Sequence, residues 1–419
     1  MFSRIQKNYQ GRTLKAPKVR PWYGTKTKVP RTPPRRPTSR GEVSKCPTLA
    51  LFNKKILLVG LGRLGGGLAT AKFLISNGAK LTITDLNTQK ELSGVLVKLK
   101  KYPIRFVLGK HEEREFKKND IIVFNPAVSI FSHWVKIAKK YKKQIENDLT
   151  LFLKILGDKN PDFTYIAITG TRGKTTSTYW TAHFLKPAIF GGNIPTLGLF
   201  KIISRIMRAK NNTPIVLELS SFQLEFMDRF VKPPKIAVIT NLYNDHLNRY
   251  VEMATYAAQK ANIFLNQSKK DFLILNYDDL RKRFFLKKHP LGRVLYVSLN
   301  GLPAHTDGLF FNGNKIYFQN SGKKEFITEV KDFSEHQKYN LLVALLASRL
   351  YGKDWHELVK RISSLPTVPF RQEIVHNKKG IMAVNDSAAT SPDGTIAALK
   401  RFQTKKKLFL ICGGTDKNL

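Results

Sequence analysis

The stretch ITGTRGKTT, residues 168–176, follows an apolar run at residues 165–168 and carries two closely spaced glycines, one lysine and a pair of threonines. A glycine-rich loop between a buried strand and a helix can hold nucleotide phosphates with its backbone amides, its lysine and a hydroxyl that reaches Mg²⁺. The loop is shorter than the full GxxxxGK[ST] pattern, because Ile168 stands where that pattern has its first glycine. The alternative is a glycine-rich turn without a ligand. The residues predicted to form this phosphate site are Gly170, Thr171, Arg172, Gly173, Lys174, Thr175 and Thr176.

Two further motifs follow strands of the same predicted series. VLELSSFQLE, residues 216–225, places Glu218 at the end of an apolar strand, where a carboxylate can reach a magnesium ion held by the phosphate loop. ITNLYNDHLNRY, residues 239–250, places His246 in a loop after the strand KIAVIT. A lone histidine is more often structural, but the carboxyl ends of parallel strands are where open α/β sheets bind ligands.

A second glycine motif, GLGRLG at residues 60–65, lies near the start of the globular sequence. It follows the strand KKILLVG, opens a helix and has Asp85 at the end of the next strand. This context matches the dinucleotide-binding fingerprint, in which glycines let the backbone approach a diphosphate. Gly60, Gly62 and Gly65 therefore predict a diphosphate site. NAD, a UDP-sugar and a turn without a ligand all remain open from these residues alone.

Alternating strand and helix patterns predict an α/β fold with several domains. A chain of 419 residues is too long for one ordinary core. We expect a Rossmann-like N-terminal domain at 51–147, a central P-loop ATPase domain with a mostly parallel sheet at 148–365, and a partial Rossmann-like C-terminal domain at 366–419. The last segment has strands predicted at IMAVND and KLFLICG with the helix TIAALKRF between them. It is near the lower size limit of a domain, so an unfinished sheet is expected.

Composition adds an unusual charge. The formal net charge is +42, and residues 1–50 form a segment rich in proline and arginine that we expect to be a disordered basic tail. Contact of this tail with nucleic acid is an alternative for which the sequence offers no further support. Two cysteines far apart argue against disulfides or zinc, and no apolar run approaches the length of a membrane span. We expect a cytoplasmic monomer.

The motifs together resemble the Mur ligase family, because eight of them occur in the order found there. The resemblance covers residues 51–419 and is greatest to the members that add D-glutamate to UDP-N-acetylmuramoyl-L-alanine. It implies a UDP-binding first domain and ATP-dependent amide bond formation through an acyl phosphate, in peptidoglycan precursor synthesis. The eight motifs are GTRGKTT, GGNIP at 191–195, ELSSFQLE, NLYNDHLNRY, AAQKANIF at 257–264, HQKYN at 336–340, NDSAAT at 385–390 and GGTDK at 413–417.

The resemblance also implies roles for individual residues. Lys174, Glu218, His246 and Lys260 would be catalytic. Thr175, Glu218, His246 and a carbamylated Lys260 would hold Mg²⁺, although the sequence pattern by itself predicts a solvated helix lysine at position 260. Asn340, Arg371 and Asp386 would contact the nucleotide. The UDP substrate would contact Gly60, Gly62, Gly65, Asp85, Asn193 and His246. Thr390 and Lys417 would contact the incoming D-glutamate.

Several positions depart from the family pattern. Ala388 stands where the family has a lysine, the residues at 125–127 are Asn-Pro-Ala rather than a Ser-Pro-Gly type turn, and the late C-terminal contacts to glutamate have no counterpart. A member with another amino-acid specificity and an inactive, truncated remnant therefore remain alternatives. An NAD-dependent oxidoreductase is a further alternative, but it would leave ELSSFQLE and GTRGKTT without a purpose.

Overall fold

The structure is a computed structural model that describes residues 51–63, 65–228, 231–389, 392–403 and 407–413, without the side chain of residue 393. The basic tail expected at 1–50 and the predicted glutamate contacts Thr390 and Lys417 lie outside these residues. Within the described part of the chain, no helix is long and apolar enough to cross a membrane.

The first part of the chain forms a five-stranded parallel sheet with the order β3-β2-β1-β4-β5. Its central strand has the sequence KILLV and is buried from its second residue on, because helices cover both faces. The strands are β1 (Lys55–Val59), β2 (Lys80–Asp85), β3 (Arg105–Leu108), β4 (Ile121–Phe124) and β5 (Gln144–Asn147). The helices are α1 (Gly66–Ser76), α2 (Ser93–Leu96), α3 (Glu113–Lys118) and α4 (His133–Lys140).

The middle of the chain forms a nine-stranded sheet with the order β14-β13-β12-β11-β10-β9-β6-β8-β7. All its pairs are parallel except those that join β12 to β13 and β13 to β14. The strands are β6 (Ile166–Thr169), β7 (Ile189–Gly192), β8 (Ile215–Glu218), β9 (Ile236–Ile239), β10 (Phe272–Asn276), β11 (Arg293–Ser298), β12 (Gly308–Asn312), β13 (Lys315–Asn320) and β14 (Lys323–Glu329).

The helices of this part pack on both faces of the sheet. Helix α12 begins at Glu335, and its residues 340–348 are all buried, so it packs as a core helix. The helices are α5 (Asp148–Lys159), α6 (Lys174–Phe184), α7 (Leu199–Arg208), α8 (Ser221–Leu224), α9 (Leu247–Tyr250), α10 (Met253–Ala261), α11 (Arg283–Leu286), α12 (Glu335–Leu350) and α13 (Trp355–Lys360).

The last described part is a two-stranded antiparallel sheet of β15 (Glu373–Lys378) and β16 (Ile381–Asn385), followed by α14 (Pro392–Phe402). The strand and helix predicted at IMAVND and TIAALKRF are therefore confirmed. The strand predicted at KLFLICG was wrong, because residues 407–413 have no strand structure. Apolar sequence makes a strand only when a neighbouring strand accepts its hydrogen bonds.

The two larger sheets are joined by apolar side chains. Phe226, in the segment after β8, packs into the core beside the first sheet and stacks on Phe124 with ring centroids 5.8 Å apart. On the other side, Phe73 of α1 meets Phe200 of α7 at 4.8 Å. The predicted α/β class with mostly parallel sheets is confirmed, and the carboxyl ends of β6, β8 and β9 meet at one edge of the second sheet.

Candidate functional site

The phosphate loop runs from the end of β6 to the start of α6. Two of its glycines have positive φ angles, 145° at Gly170 and 80° at Gly173. A Cβ atom at Gly170 would lie 1.9 Å from the Thr240 hydroxyl, and one at Gly173 would lie 2.4 Å from Oδ1 of Asn340. Larger residues are thus excluded at both positions by backbone conformation and by space. The loop brings its amides to the N-terminus of an 11-residue helix, where an anion is favoured.

Residues that follow β9 hold this loop in place. The Thr171 amide donates to the carbonyl of Asn241 at 3.0 Å, and the Arg172 amide donates to Oδ1 of the same residue at 2.8 Å. The Thr240 hydroxyl donates to the Arg172 carbonyl at 2.6 Å. Lys174 curls over the loop and donates from Nζ to the Thr171 carbonyl at 2.9 Å. The loop is therefore fixed in shape by its neighbour strand in this structure.

Glu218 lies beside the loop because β6 and β8 pair with Ile168 opposite Glu218. Its side chain is 2% exposed, and Asn193 donates from Nδ2 to Oε1 at 3.2 Å. The other carboxylate oxygen, Oε2, is buried without a hydrogen-bond partner among the described residues. Burial raises the pKa of Glu218, while the charge of Lys174 and the hydroxyl of Thr175 act in the opposite direction. A buried oxygen of this kind is suited to a cation.

The groups beside the phosphate loop suit a magnesium ion that is bound by only a few protein ligands. No cluster of three His, Cys, Asp or Glu side chains able to hold a metal occurs in the part of the chain that the structure describes. Mg²⁺ commonly takes one or two protein oxygens and completes its shell with water and substrate phosphates. Oε2 of Glu218 and the Thr175 hydroxyl, at the end of the phosphate loop, are residues of the right kind for such a site.

His246 lies in the loop after β9, in a left-handed backbone conformation with φ of 54°. Its Nε2 is 3.5 Å from Oδ2 of Asp245, and its ring contacts the edges of Phe222 and Tyr256 at centroid distances of 4.8 and 5.9 Å. Left-handed residues other than glycine are costly and are concentrated at functional sites. The histidine is therefore held by its surroundings rather than by its own backbone preference.

Lys260 of α10 is only 1% exposed and lies beneath the phosphate loop. Its Nζ donates to the Gly170 carbonyl at 2.8 Å and lies 4.5 Å from the centroid of the Tyr256 ring. Burial and the charge of Lys174 lower the pKa of Lys260 well below its usual value, and Asp245 opposes this only in part. The solvated lysine that the sequence pattern predicts is wrong. A lowered pKa favours the neutral amine, which is the form of a lysine that can act as a nucleophile.

One cleft of about 1310 Å³ collects most of the predicted site. Asp386 is held there by the Gln372 amide, which donates to Oδ1 at 3.0 Å, and Asn340 accepts from the Ser177 hydroxyl at 3.2 Å. Ala388 also lines the cleft, so the lysine that the family has at this position is missing from its wall. The predicted residues that line the cleft are Thr171, Arg172, Gly173, Lys174, Thr175, Thr176, Asn193, Glu218, His246, Asn340, Arg371 and Asp386.

The first glycine motif lies outside this cleft, at the carboxyl end of β1. Gly60, Gly62 and Gly65 all have positive φ angles, as the fingerprint requires. The Asp85 carboxylate is 2% exposed and accepts hydrogen bonds from the amides of Leu61 and Gly62 at 2.8 and 3.0 Å. In this structure Asp85 therefore stabilises the turn itself. Of the other predicted substrate contacts, Asn193 donates to Glu218, and both Asn193 and His246 line the cleft rather than this turn.

Sequence reasoning did not single out the ion pair between Glu225 and Arg249, whose side chains are 0% and 4% exposed. Glu225 ends the motif ELSSFQLE, and Arg249 lies near the end of NLYNDHLNRY. Opposite charges at the ends of these two motifs were the available signal for a pair. Thr240 and Asn241, which fix the phosphate loop, were also missed. Their position after a strand next to β6 could have indicated them.

Comparison with known proteins agrees with this architecture. The Mur ligase MurD-like N-terminal domain matches residues 54–146, and the Mur ligase middle domain matches residues 168–348. The chain belongs to the Mur ligase family.

Individual relatives are similar over most of the chain. The UDP-N-acetylmuramoylalanine--D-glutamate ligase of Borreliella burgdorferi is 34% identical over 378 residues, which are 88% of this chain and 78% of that protein. The protein of the same name from Roseiflexus sp. (strain RS-1) is 33% identical over 383 residues, with 88% and 80% covered.

Among solved structures, UDP-N-acetylmuramate-alanine ligase MurC of Thermotoga maritima has a TM-score of 0.51 at 24% identity, covering 83% of this chain and 77% of that one. MurF of Acinetobacter baumannii has a TM-score of 0.50 at 13% identity, covering 88% and 73%. These two similarities show a shared fold.

Proposed function

We propose that this protein is an ATP-dependent ligase that adds D-glutamate to UDP-N-acetylmuramoyl-L-alanine, in peptidoglycan precursor synthesis. Relatives 33% and 34% identical over 88% of the chain carry that activity in their names. The observation that carries the proposal is the cleft into which three adjacent strand ends deliver a phosphate loop, a buried glutamate and a histidine. The nucleotide substrates make the cytoplasm the expected place of reaction, with the protein acting as a monomer.

The phosphates of ATP would lie on the loop amides and on Lys174, at the N-terminus of α6. Thr175 and Glu218 would hold Mg²⁺, which when bound neutralises the charge of the phosphates. Asn340, Arg371 and Asp386 would contact the rest of the nucleotide. These assignments are supported by the positions of all six residues on the same cleft.

The reaction we propose has two stages. An oxygen of the substrate carboxylate attacks the γ-phosphorus of ATP, ADP leaves and an acyl phosphate forms. The amine of D-glutamate then attacks the acyl carbon and loses a proton, and the tetrahedral intermediate expels inorganic phosphate as the amide forms. His246 would position the reacting carboxylate, and Asn193, which donates to Glu218, would contact the same end of the substrate.

Lys260 is proposed to work as a carbamate. In its neutral form the amine attacks CO₂, the nitrogen loses a proton, and the product carries a carboxylate in place of the basic amine. Together with His246 this carboxylate could serve a second magnesium ion. The support for this proposal is the depressed pKa of Lys260 and its place directly under the phosphate loop.

We assign the UDP group and the amino acid to the parts of the chain on either side of the central part. We propose a UDP-binding domain at 51–147, with the diphosphate on the turn of Gly60, Gly62 and Gly65 and with Asp85 supporting that turn. A central ATP-binding domain would comprise residues 148–365, and a C-terminal domain at 366–419 would supply Thr390 and Lys417 to the amino acid.

The proposal is tested by measuring phosphate release with single substrates omitted. Release should require ATP, Mg²⁺, UDP-N-acetylmuramoyl-L-alanine and D-glutamate together, and mass spectrometry should detect the amide product. L-Alanine, L-lysine and meso-diaminopimelate in place of D-glutamate are the controls for specificity. Equal turnover with one of these amino acids would assign a different ligase activity, and release without any amino acid would refute amide formation.

A further inference from the structure

Glu225 and Arg249 form a buried ion pair between the two larger sheets. Arg249 donates from Nε to Oε1 at 2.8 Å and from Nη2 to Oε2 at 2.7 Å, which is the bidentate geometry of a strong pair. The Tyr250 hydroxyl also donates to Oε1, at 2.7 Å. Three donor groups of the central part thus meet at a carboxylate that is fully removed from solvent.

One side of the pair holds the loop that follows β4. Arg249 donates to the carbonyls of Pro126 and Ala127 at 3.0 and 2.9 Å, and the Ile130 amide donates to Oε2 of Glu225 at 3.0 Å. Three main-chain groups of one short loop are therefore bonded to the same ion pair. This loop belongs to the first sheet, so the pair attaches that sheet to the central part through directed hydrogen bonds.

The same loop lies directly against the glycine turn at the end of β1. A Cβ atom placed on Gly60 would be 3.0 Å from Cβ of Asn125 and 3.8 Å from Cγ2 of Val128. Because Gly60 has no side chain, the loop can approach the turn this closely, and the Asn125 amide donates to the Val59 carbonyl at 2.9 Å. The position of the turn is consequently tied to the position of Arg249.

The other side of the pair reaches His246. The Arg249 guanidinium lies 3.9 Å from the centroid of the Phe222 ring, and that ring meets the His246 imidazole at 4.8 Å. The Arg249 amide also donates to the His246 carbonyl, at 2.9 Å. A continuous set of contacts thus runs from the glycine turn through the ion pair to the histidine of the cleft.

Stability alone gives little reason for such a pair, since a buried ion pair is often no more stabilising than apolar side chains of similar volume. Fixed geometry is what a bidentate, stacked arginine supplies. We propose that Arg249 and Glu225 are positioning residues that fix the span from the glycine turn to His246 and thereby select the UDP-linked substrate by the length of its acyl chain. This inference rests on the proposed function, because it takes the turn as the diphosphate site and His246 as a contact of the carboxylate.

The test compares the binding of three ligands by calorimetry, without ATP, so that it does not depend on turnover. The ligands are UDP, UDP-N-acetylmuramate and UDP-N-acetylmuramoyl-L-alanine. The variants are Arg249→Lys, which keeps the charge but loses the bidentate bond, and Phe222→Leu, which keeps the ion pair but breaks the contact with His246. Arg293→Lys is the matched control, because Arg293 pairs with Asp307 in the central part of the chain, away from these contacts.

The wild-type protein and the control should bind the alanyl substrate at least about tenfold more tightly than UDP or the shorter UDP-N-acetylmuramate. Both variants should bind UDP within about twofold of the wild-type affinity and lose most of the preference for the alanyl substrate. An equal loss for all three ligands would show a merely structural pair and would overturn the inference. An unchanged preference in both variants, or no UDP binding by the wild-type protein, would overturn it as well. Absence of ligase turnover with an intact length preference would count against the proposed function alone.

Discussion

Replacing Glu218 by glutamine should make the protein more stable and inactive. The side chain is 2% exposed, and its Oε2 atom has no hydrogen-bond partner in the described part of the chain. A buried polar group left unsatisfied costs about 1–3 kcal/mol, more when it is charged. Glutamine keeps an oxygen to accept from Asn193 and replaces a buried charge by a neutral amide, whose burial costs less. We therefore expect Glu218→Gln to raise the free energy of unfolding by about 1–3 kcal/mol, and Tm by about 2–4 °C for each kcal/mol.

The extra stability of the Glu218→Gln variant should depend on pH in a defined direction. Because burial raises the pKa of Glu218, the folded protein keeps the proton at pH values where the unfolded chain has already lost it. The stability of the wild-type protein therefore falls as pH rises above the ordinary range of a glutamate, and that of the glutamine variant does not fall for this reason. The difference between the two proteins should be largest at neutral pH and shrink towards acid pH.

Thermal unfolding with and without MgATP measures both effects. MgATP should stabilise the wild-type protein more than the variant, and turnover of the variant should fall about 100-fold or more. Glu146→Gln is the matched control, since Glu146 is 0% exposed but accepts from Lys154 at 2.6 Å. Its replacement leaves Lys154 with only the Asp228 carboxylate, whose Oδ2 lies 4.0 Å away, and should cost up to about 3–5 kcal/mol. A Glu218→Gln protein that is less stable than wild type at neutral pH, or that keeps the full MgATP effect, would refute the reasoning.

Three further predictions concern other buried groups. Turnover of the wild-type protein should fall reversibly when CO₂ and bicarbonate are removed, because the amine of Lys260 is then left unmodified. The Lys260→Met variant should be inactive and show no bicarbonate-dependent rise in Tm. A wild-type rate that is independent of bicarbonate would exclude the carbamate. Burial raises the pKa of Asp148 from 3.8 to about 6 against the hydrogen bond from Gln223, so the wild-type protein loses stability as pH rises through this window. Asp148→Asn should be more stable by up to about 3 kcal/mol above it and equal to wild type below it, as measured by urea unfolding; a pH-independent difference would contradict this. Phe226→Ala should lower the free energy of unfolding by about 3–5 kcal/mol in the same assay, because it removes the ring that stacks on Phe124 between the two sheets. A cost below about 1 kcal/mol would show that this is not a core contact.

The sequence was most informative for site residues that directly follow a predicted strand. Glu218 and the phosphate loop could be placed together because neighbouring parallel strands end at one edge, and the register of Ile168 with Glu218 agrees with this. His246 was located by the same rule. Local patterns of this kind need only the strand that precedes the residue, so they can be read from a single chain.

The rest of the site depends on contacts that no local pattern contains. Lys260 has the flanking residues of an ordinary helix lysine, and only the Gly170 carbonyl, 90 residues earlier in the chain, explains its buried hydrogen bond. Arg249 is separated by more than 120 residues from the loop carbonyls to which it donates. The predicted strand at residues 407–413 failed for a related reason, since an apolar run does not specify its hydrogen-bonding neighbour.

The phosphate loop shows how one short segment can give two lysines different roles. Lys174 donates to the Thr171 carbonyl and lines the cleft, whereas Lys260 donates to the Gly170 carbonyl from beneath and is almost completely buried. When two positive charges repel each other, the less solvated group loses its proton more readily. The charge of Lys174 accordingly lowers the pKa of the buried Lys260. The cation that faces the phosphates thus itself helps to keep the amine below it neutral. A polyanion bound on the loop would weaken that effect and so favour the ammonium form of Lys260, which does not react with CO₂.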